Sequence, residues 1–251
     1  MSATITKRKA LVLDILMDED SVSVSDLSRR LNVTPVTARA DLDALEKEGL
    51  LVRTHGGALP AHHPKVFERM QANQELKGKV ARAAANLIED GDNIIISAGT
   101  TTALIAKFLL GKRDVHIVTN NTLLLSYARA NPQLRVTLIG GEFRSSEEGT
   151  VGPMALTAFD QFHVSRAFIG IDGASAKHGF TAHFLESADL VRKMAEQADQ
   201  VIVISDSSKF GKHGFARILP IGDVDVLVTD TEISESFETE LTRAGVRVVT
   251  S

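Results

Sequence analysis

The chain has 251 residues, of which 43% are hydrophobic and 24% are charged, a composition that is ordinary for a globular protein. The absence of cysteine excludes disulfide bonds and thiolate metal sites. No apolar run approaches the roughly 20 residues that a membrane span needs, and the N-terminus has no signal-peptide pattern, so we predict a soluble, cytoplasmic protein. The net charge of −4 does not by itself indicate a nucleic-acid binder, so any DNA affinity must depend on where the charges lie.

The first 59 residues are predicted to form three short helices and a β-ribbon. Apolar residues recur at helical spacing from Ile5 to Leu16, which predicts the first helix. Ser23 is placed to cap a second helix over residues 23–31. Thr34 is placed to cap a third helix over residues 35–48. A strand (50–53), a turn (55–57) and a returning segment (58–59) complete the ribbon.

Three helices followed by a ribbon are typical of a winged helix-turn-helix, whose third helix here would enter the major groove. We expect Val36, Leu42 and Leu45 to form the buried stripe of that helix. Thr37, Arg39 and Asp41 are then expected on its exposed face, where an arginine can bind a guanine edge or a phosphate. The residues assigned to DNA contact are Ser25, Thr34, Thr37, Arg39, Arg53, His55 and Gly56.

The rest of the chain divides into a linker and a larger α/β domain. Prolines and histidines over residues 60–75 predict an extended linker. From residue 76 to 251, helical segments alternate with short strands rich in Val and Ile, which is typical of a doubly wound, mostly parallel sheet. The predicted strands are 93–96, 115–118, 135–139, 166–171, 200–204, 224–228 and 246–249.

Small and polar residues follow five of these strands, and the carboxyl ends of parallel strands are where such sheets bind ligands. Gly99 and the three threonines after it resemble a phosphate cradle, and Arg144 can hold a phosphate through two hydrogen bonds. Asp172 can accept sugar hydroxyl groups, and Lys209 can supply a positive charge. The pattern predicts a site for a small, polar, anionic ligand.

The N-terminal motifs resemble the DeoR family of bacterial sugar-operon repressors. The matching strings are VSDLSRRLNVTP (24–35), TARADL (37–42) and LEKEGLLVRTHGGA (45–58). The family has two consecutive arginines before its Asp-Leu pair, and here Ala40 stands at the second position. This departure removes one expected DNA contact.

The resemblance covers essentially the whole chain and implies a C-terminal fold like that of ribose-5-phosphate isomerase. It also implies that a phosphorylated sugar modulates operator binding. We expect at least a homodimer, because paired half-sites on DNA are best met by paired recognition helices. Ser97 replaces the acidic residue that the family carries after the first strand. The residues assigned to the effector are Ser97, Gly99, Thr100, Thr101, Thr102, Asn120, Gly140, Gly141, Arg144, Gly152, Asp172, Gly173, Glu186, Asp206 and Lys209.

Two other functions are compatible with the pattern. The first is a sugar-phosphate isomerase fused to a DNA-binding domain, with Glu186 or Asp172 as the base. However, the isomerase pattern has a second acid shortly after its Asp-Gly, and here Ala174 and Ser175 follow Gly173. The second is a protein-interaction module. We therefore predict a carbohydrate-operon repressor and not an enzyme, with no catalytic residue, no cofactor, no metal and no membrane partner.

Overall fold

The computed structural model describes residues 2–19 and 21–251, with side chains from residue 7 onward, so the side chain of Ile5 lies outside the described part. The chain divides into two compact units between Arg69 and Met70. No helix in the described part is long and apolar enough to cross a membrane.

The N-terminal unit is a winged helix-turn-helix. It contains α1 (Ser2–Asp18), β1 (Val22–Ser23), α2 (Val24–Arg30), α3 (Pro35–Lys47), β2 (Leu51–Thr54), β3 (Gly57–Pro60) and the start of α4 (Pro64–Gln71). The three strands form one antiparallel sheet in the order β1-β3-β2. Three helices and a ribbon therefore occur in the predicted order.

The predicted caps of α2 and α3 are confirmed. The hydroxyl oxygen of Ser23 accepts a hydrogen bond from the Asp26 N–H at 3.0 Å. The hydroxyl oxygen of Thr34 accepts one from the Thr37 N–H at 3.2 Å, and Pro35 occupies the first turn of α3. Each cap satisfies a main-chain donor that the helix itself leaves free.

The buried stripe of α3 differs from the prediction at two positions. Leu42 and Leu45 are buried as expected, but Val36 is 72% exposed and Asp41 is only 4% exposed. At 100° per residue, position 36 lies opposite 38, 42 and 45, whereas position 41 lies beside them. The buried position can hold the charged carboxylate of Asp41 because Arg8 of α1 forms an ion pair with it.

Residues 60–75, predicted as an extended linker, contain the whole of α4 and the first two residues of α5. The His63 imidazole accepts the Lys65 N–H, and the carbonyl of His63 accepts the N–H groups of Val66 and Phe67. Val66 and Phe67 are buried, and Phe67 packs in the core of the N-terminal unit. The extended conformation was therefore a wrong prediction, because Pro64 stands at a helix start, where its missing N–H costs nothing.

The C-terminal unit contains a seven-stranded parallel sheet in the order β15-β14-β12-β9-β4-β5-β6. Its strands are β4 (Asn93–Ile96), β5 (His116–Thr119), β6 (Arg135–Leu138), β9 (Val164–Gly170), β12 (Ala198–Ile204), β14 (Val226–Thr229) and β15 (Arg247–Thr250). The chain order runs outward in opposite directions from the neighbouring strands β4 and β9. The predicted doubly wound parallel fold is confirmed, and its topological switch point lies between these two strands.

The helices of this unit are α5 (Gln74–Ala85), α6 (Thr100–Ala103), α7 (Leu124–Ala128), α8 (Pro153–Phe159), α9 (Leu185–Glu196) and α10 (Glu235–Arg243). Fully buried isoleucines at 94–96 place β4 in the centre of the core. Their continuous apolar run is the mark of a strand covered on both faces.

Two small antiparallel elements were not predicted. β7 (Glu142–Arg144) and β8 (Gly149–Val151) form a hairpin. β10 (Gly173–Ser175), β11 (Gly179–Ala182) and β13 (Ala216–Leu219) form a second sheet. Strands of three or four residues are too short to be recognised from alternating hydrophobicity.

Substitutions on the two faces of α3 should have different effects on stability. We expect Leu42→Ala to lower the free energy of unfolding by about 2–5 kcal/mol, because it opens a cavity in a fully buried site. Val36→Ala should change it by no more than about 0.5 kcal/mol. Urea unfolding of the full chain, followed by circular dichroism, measures both, and equal losses would contradict the exposure of Val36.

Candidate functional site

The exposed face of α3 is formed by Val36, Arg39, Ala40, Asp43, Glu46 and Lys47. Arg39 is exposed and makes no hydrogen bond or ion pair within the described part of the chain. Its guanidinium group is therefore free to bind an external acceptor. Val36 and Ala40 add a methyl surface of the kind that contacts a thymine methyl group.

The start of α3 is a second part of this face. The hydroxyl groups of Thr34 and Thr37 lie 2.9 Å apart, and Thr34 also caps the helix. Ser25 lies in the first turn of α2, with its hydroxyl 2.9 Å from that of Ser23. In each pair one hydroxyl donates to the other, so the second hydroxyl keeps its proton to donate to a phosphate oxygen.

The ribbon carries the other predicted DNA contacts. His55 and Gly56 are exposed at its turn. Arg53 is half-buried, and its guanidinium lies 3.1 Å from the carboxylate of Asp43 on α3. Two of its buried nitrogens, Nε and Nη1, have no hydrogen-bond partner of good geometry. The Arg53–Asp43 ion pair thus connects the ribbon to α3 and leaves donor capacity on the arginine.

In the C-terminal unit, the ends of β4 and β9 meet at the switch point. The hydroxyl oxygen of Ser97, directly after β4, accepts the Gly170 N–H at the end of β9 at 2.9 Å. Ser97 is fully buried. A hydroxyl group suits this position because a buried main-chain donor needs an acceptor, and Ser97 supplies one without a charge.

The loops after β4 and β5 are held together by two asparagines. Asn120 accepts the Ala98 N–H at 2.8 Å and donates to the carbonyl of Thr150 at 2.9 Å. Asn121 donates to the carbonyls of Ser97 and Gly99 at 3.1 and 3.0 Å. Because the amide oxygen and the amide nitrogen of Asn120 both form hydrogen bonds within the protein, this residue positions the loops rather than offering free groups to a ligand.

The three threonines after Gly99 have different roles. Thr102 is fully buried, and its hydroxyl donates to the carbonyls of Ser97 and Gly99 at 2.8 and 3.1 Å. Thr100 and Thr101 are half-buried, and their hydroxyl groups have no partner in the described part of the chain. Gly99 has φ of +148°, a conformation open to glycine but strained for other residues. The turn thus presents the free hydroxyl groups of Thr100 and Thr101 next to a backbone that the Thr102 hydroxyl holds by hydrogen bonds.

The β7–β8 hairpin brings Arg144 to the start of α9. The Arg144 guanidinium lies 3.4 Å from the Glu186 carboxylate and 3.6 Å from that of Glu147, and it stacks over the Phe184 ring at 4.9 Å. Glu147 also accepts a hydrogen bond from Ser187 at 2.5 Å. The two ion pairs of Arg144 are longer than an optimal charge-assisted hydrogen bond, so the guanidinium retains capacity for an anionic ligand.

Glu186 is more than half exposed, and its pKa is lowered by a hydrogen bond from its own main-chain N–H and by Arg144. Its carboxylate is therefore ionised at neutral pH.

Gly141 lies at the base of the same hairpin, where a Cβ atom would be 2.6 Å from the Val151 carbonyl oxygen. Gly140 precedes it in an exposed position, and Gly152 follows the hairpin immediately before α8.

The remaining predicted residues occupy the ends of β9 and β12. Asp172 accepts the His183 N–H at 2.9 Å, and Gly173 begins β10. Asp206 is buried and accepts hydrogen bonds from Asn73 and from the Ser208 N–H, both at 3.2 Å. Lys209 is half-buried and forms no ion pair within the described part. The Lys209 N–H donates to the Asp206 carbonyl at 3.3 Å, and no hydrogen bond of its ammonium group to another predicted residue is seen in the described part of the chain.

Several residues with a place in these sites were missed by sequence reasoning. They are Val36 on α3, Asn121 in the strand-end network, and Glu147, Phe184 and Ser187 around Arg144. The helical angle of position 36 was a usable signal, as was the Asn-Asn pair after β5. No local signal connects Glu147 with Ser187, because that contact depends on a hairpin and a helix 40 residues apart.

The comparisons with known proteins assign the class. Residues 8–63 match the model of the DeoR-like helix-turn-helix domain, and residues 72–231 match the model of the DeoR C-terminal sensor domain. Together these define a DNA-binding transcription regulator with a sensor domain. The chain belongs to the DeoR family.

Named relatives agree with this assignment along nearly the full length. The chain is 33% identical over 247 residues to the HTH-type transcriptional repressor GlcR of Bacillus subtilis, covering 97% of this chain and 95% of the relative. It is 30% identical over 228 residues to the glycerol-3-phosphate regulon repressor of Escherichia coli K12, covering 90% of each. Because both matched family models describe regulatory domains, the prediction of a regulator rather than an enzyme is confirmed.

Solved structures of similar fold include ribose 5-phosphate isomerase A from Methanocaldococcus jannaschii, at 20% identity and a TM-score of 0.40 over 55% of each chain. Another is translation initiation factor eIF-2B from Pyrococcus horikoshii, at 15% identity and a TM-score of 0.43 over 91% of this chain and 89% of that chain. Likeness of this degree carries no functional argument.

Thr102 and Thr101 offer a matched pair for testing the geometry of the threonine turn. Thr102→Val should lower the free energy of unfolding by about 1–3 kcal/mol, because it removes a buried donor from two carbonyl groups. Thr101→Val, which removes a hydroxyl without a partner, should cost about 0.5 kcal/mol or less. Urea unfolding gives both values, and a larger loss for Thr101→Val would refute this division of roles.

Proposed function

We propose that the protein represses a carbohydrate-utilisation operon and that a phosphorylated sugar modulates its binding to the operator. The free Arg39 guanidinium on the exposed face of α3 is the observation that carries the DNA half of this proposal. Relatives of the chain are named as repressors of a glycerol-3-phosphate regulon and of a lactose phosphotransferase system. These names support a phosphorylated, sugar-like effector for this chain.

On DNA, α3 would lie in the major groove, with Arg39 donating to a guanine edge and Val36 contacting a thymine methyl group. Ser25, Thr34 and Thr37 would bind phosphate oxygens beside the groove. Arg53, His55 and Gly56 would meet the backbone from the ribbon. Ala40 offers no donor, so specificity would depend on fewer direct contacts than two consecutive arginines give.

The effector would bind at the carboxyl ends of the parallel strands. The free hydroxyl groups of Thr100 and Thr101 would donate to its phosphate, and Arg144 would exchange its long ion pairs with Glu186 and Glu147 for shorter bonds to the same anion. Asp172 and the released Glu186 would accept hydrogen bonds from sugar hydroxyl groups. Ser97, Thr102, Asn120 and Asp206 are better placed to hold the loops than to touch the ligand.

Control of DNA binding would require at least a dimer, because paired half-sites call for paired recognition helices. The effector would favour a state in which the two α3 helices no longer match their half-sites. A differential affinity of only a few kcal/mol between the two states is enough for this. We place the DNA-binding domain at residues 1–59 and the effector domain at 76–251, with α4 in the connection between them.

The DNA half is tested by Arg39→Ala. We expect it to weaken operator binding by about 1–3 kcal/mol and to relax selectivity at one base pair, because a base contact is lost. Fluorescence anisotropy with the chain's own upstream DNA and a random fragment of equal length measures both effects. Arg129→Ala, an exposed arginine of the C-terminal unit, is the control. Unchanged operator affinity for Arg39→Ala would refute this docking.

The effector half is tested by Arg144→Lys, which keeps the charge but removes the planar donor pair. In the same assay with a panel of sugar phosphates, the concentration that releases DNA should rise by roughly 10- to 150-fold, the equivalent of about 1.5–3 kcal/mol. DNA affinity without effector should not change. Arg113→Lys, which alters an exposed Arg–Asp pair elsewhere in the unit, is the matched control. Release at the wild-type concentration would exclude Arg144 from the effector site.

A further inference from the structure

The exposed face of α3 carries an acidic residue near its centre. Asp43 follows Val36 by about two helical turns, so the two residues lie nearly in line along the helix, and Lys47 continues that line one turn later. The side chain of Asp43 is 60% exposed. A carboxylate at this position repels the phosphates of a bound duplex. Within the proposed DNA-binding function, it opposes binding unless a partner offsets its charge.

The DNA-binding region has no surplus of positive charge with which to tolerate such a residue. The first 59 residues contain eight Lys and Arg residues and nine Asp and Glu residues. Within the described part of the chain, five of the eight cations already have a carboxylate partner: Arg8, Lys9, Arg29, Arg30 and Arg53. The sequence-independent attraction of this region to phosphates is therefore small while these ion pairs are closed.

Arg53 of β2 is held against α3 by two acidic side chains. Its Nη1 atom lies 3.1 Å from the Oδ1 atom of Asp43. Its main-chain N–H donates to the carboxylate of Glu46 at 3.3 Å. The Glu46 contact fixes the strand, whereas the Asp43 contact holds the guanidinium group. The charge of the ribbon arginine is thus controlled by a residue in the middle of the exposed face of α3.

The contact between Arg53 and Asp43 satisfies the arginine incompletely. The Nε and Nη1 atoms of Arg53 are inaccessible to solvent, and neither forms a hydrogen bond of good geometry in the described part of the chain. Buried donors without an acceptor raise the free energy of such an arrangement. A phosphate can offer two oxygen atoms to the planar guanidinium fork. Arg53 therefore gains hydrogen bonds when it passes from Asp43 to a phosphate.

The transfer of Arg53 to a phosphate leaves the Asp43 carboxylate without its counter-charge. Against DNA, that carboxylate also loses water, so it needs a hydrogen-bond donor. The donor that suits an aspartate in the major groove is the N4 amino group of cytosine, whereas guanine presents acceptors and thymine presents an acceptor and a methyl group. A phosphate is available at every step of the duplex, but a cytosine is available only in some sequences.

We propose that Asp43 determines sequence specificity by controlling Arg53. On DNA that does not match, Asp43 keeps the guanidinium group and lowers the affinity for phosphates. On the operator, a cytosine N4 amino group donates to Asp43, and Arg53 passes to a phosphate. The pair couples a base contact of α3 to a phosphate contact of the ribbon. The inference rests on the proposed binding of operator DNA and does not involve the effector.

Plain repulsion between Asp43 and phosphates is the simpler alternative, and it makes a different prediction. Repulsion acts whether or not an arginine is present at position 53. Control of Arg53 by Asp43 disappears once the guanidinium group is removed. Substitutions at the two positions, made singly and together, therefore distinguish the two explanations.

The experiment compares Asp43→Asn, Arg53→Gln and the double variant, each as the full chain. Fluorescence anisotropy at several NaCl concentrations gives their affinities for the upstream DNA and for a random fragment of equal length. The control is Glu48→Gln, which removes the same charge from the C-terminal end of α3 and also opens an ion pair, with Lys9. Thermal unfolding checks that each variant is folded. Arg53→Met, which keeps an apolar stem, replaces Arg53→Gln if the latter is unfolded.

We expect Asp43→Asn to bind the random fragment roughly two- to fivefold more tightly, the strength of one surface ion pair. The log–log salt dependence of that binding should steepen by about 0.9, because one more phosphate contact forms. The ratio of operator to random affinity should fall at least roughly fivefold, with the loss of selectivity confined to a C·G pair in each half-site. In the Arg53→Gln background, Asp43→Asn should not change random binding.

Two results would overturn the proposal while leaving operator binding intact. One is an operator-to-random ratio for Asp43→Asn that equals that of the wild type. The other is tighter random binding that persists without Arg53 or that Glu48→Gln reproduces, because plain repulsion then accounts for it. A wild type that does not prefer its upstream DNA to the random fragment would refute the proposed function itself, and the role of Asp43 with it.

Discussion

The hydrogen bond from the Gly170 N–H to the hydroxyl oxygen of Ser97 joins the two central strands where the direction of the sheet topology reverses. The strand-end site depends on it and on the asparagine bonds beside it. In a parallel sheet the last main-chain groups of each strand have no further strand residue to pair with, and in a buried position they need side-chain partners. Asn120, Asn121 and Thr102 supply these partners, so the turn at Gly99 is rigid while Thr100 and Thr101 stay free.

In the N-terminal unit, too, several side chains form their hydrogen bonds and ion pairs within the protein. Arg8 pairs with Asp41, and Thr34 and Ser23 cap their helices, so these polar groups have partners within the unit. Arg39 has no partner in the described part of the chain, on an exposed face that it shares with Val36, Ala40, Asp43, Glu46 and Lys47. A cation that is not committed within the protein is the one best able to bind a phosphate or a base. Arg53 differs from Arg39, because Asp43 holds its guanidinium group.

Charge placement, rather than total charge, organises the molecule. The net charge of −4 coexists with an arginine on α3 that has no partner in the described part of the chain and with an arginine shared by two carboxylates near the strand ends. Both guanidinium groups retain capacity for an anionic partner.

The sequence by itself determined the order of the elements, the seven parallel strands, the helix caps and the family, because apolar periodicity and capping residues are local signals. It also selected the strand-end turns that the structure brings together. Only the tertiary structure decided that Asp41 is buried, that Val36 is exposed and that α4 begins at Pro64. It also decided that the Thr102 hydroxyl holds the turn at Gly99 through hydrogen bonds, whereas the Thr101 hydroxyl does not. The grouping of Arg144 with Glu186 also depends on the fold. These features depend on which distant side chain supplies a partner, and that is set by packing between elements far apart in the chain rather than by neighbouring residues.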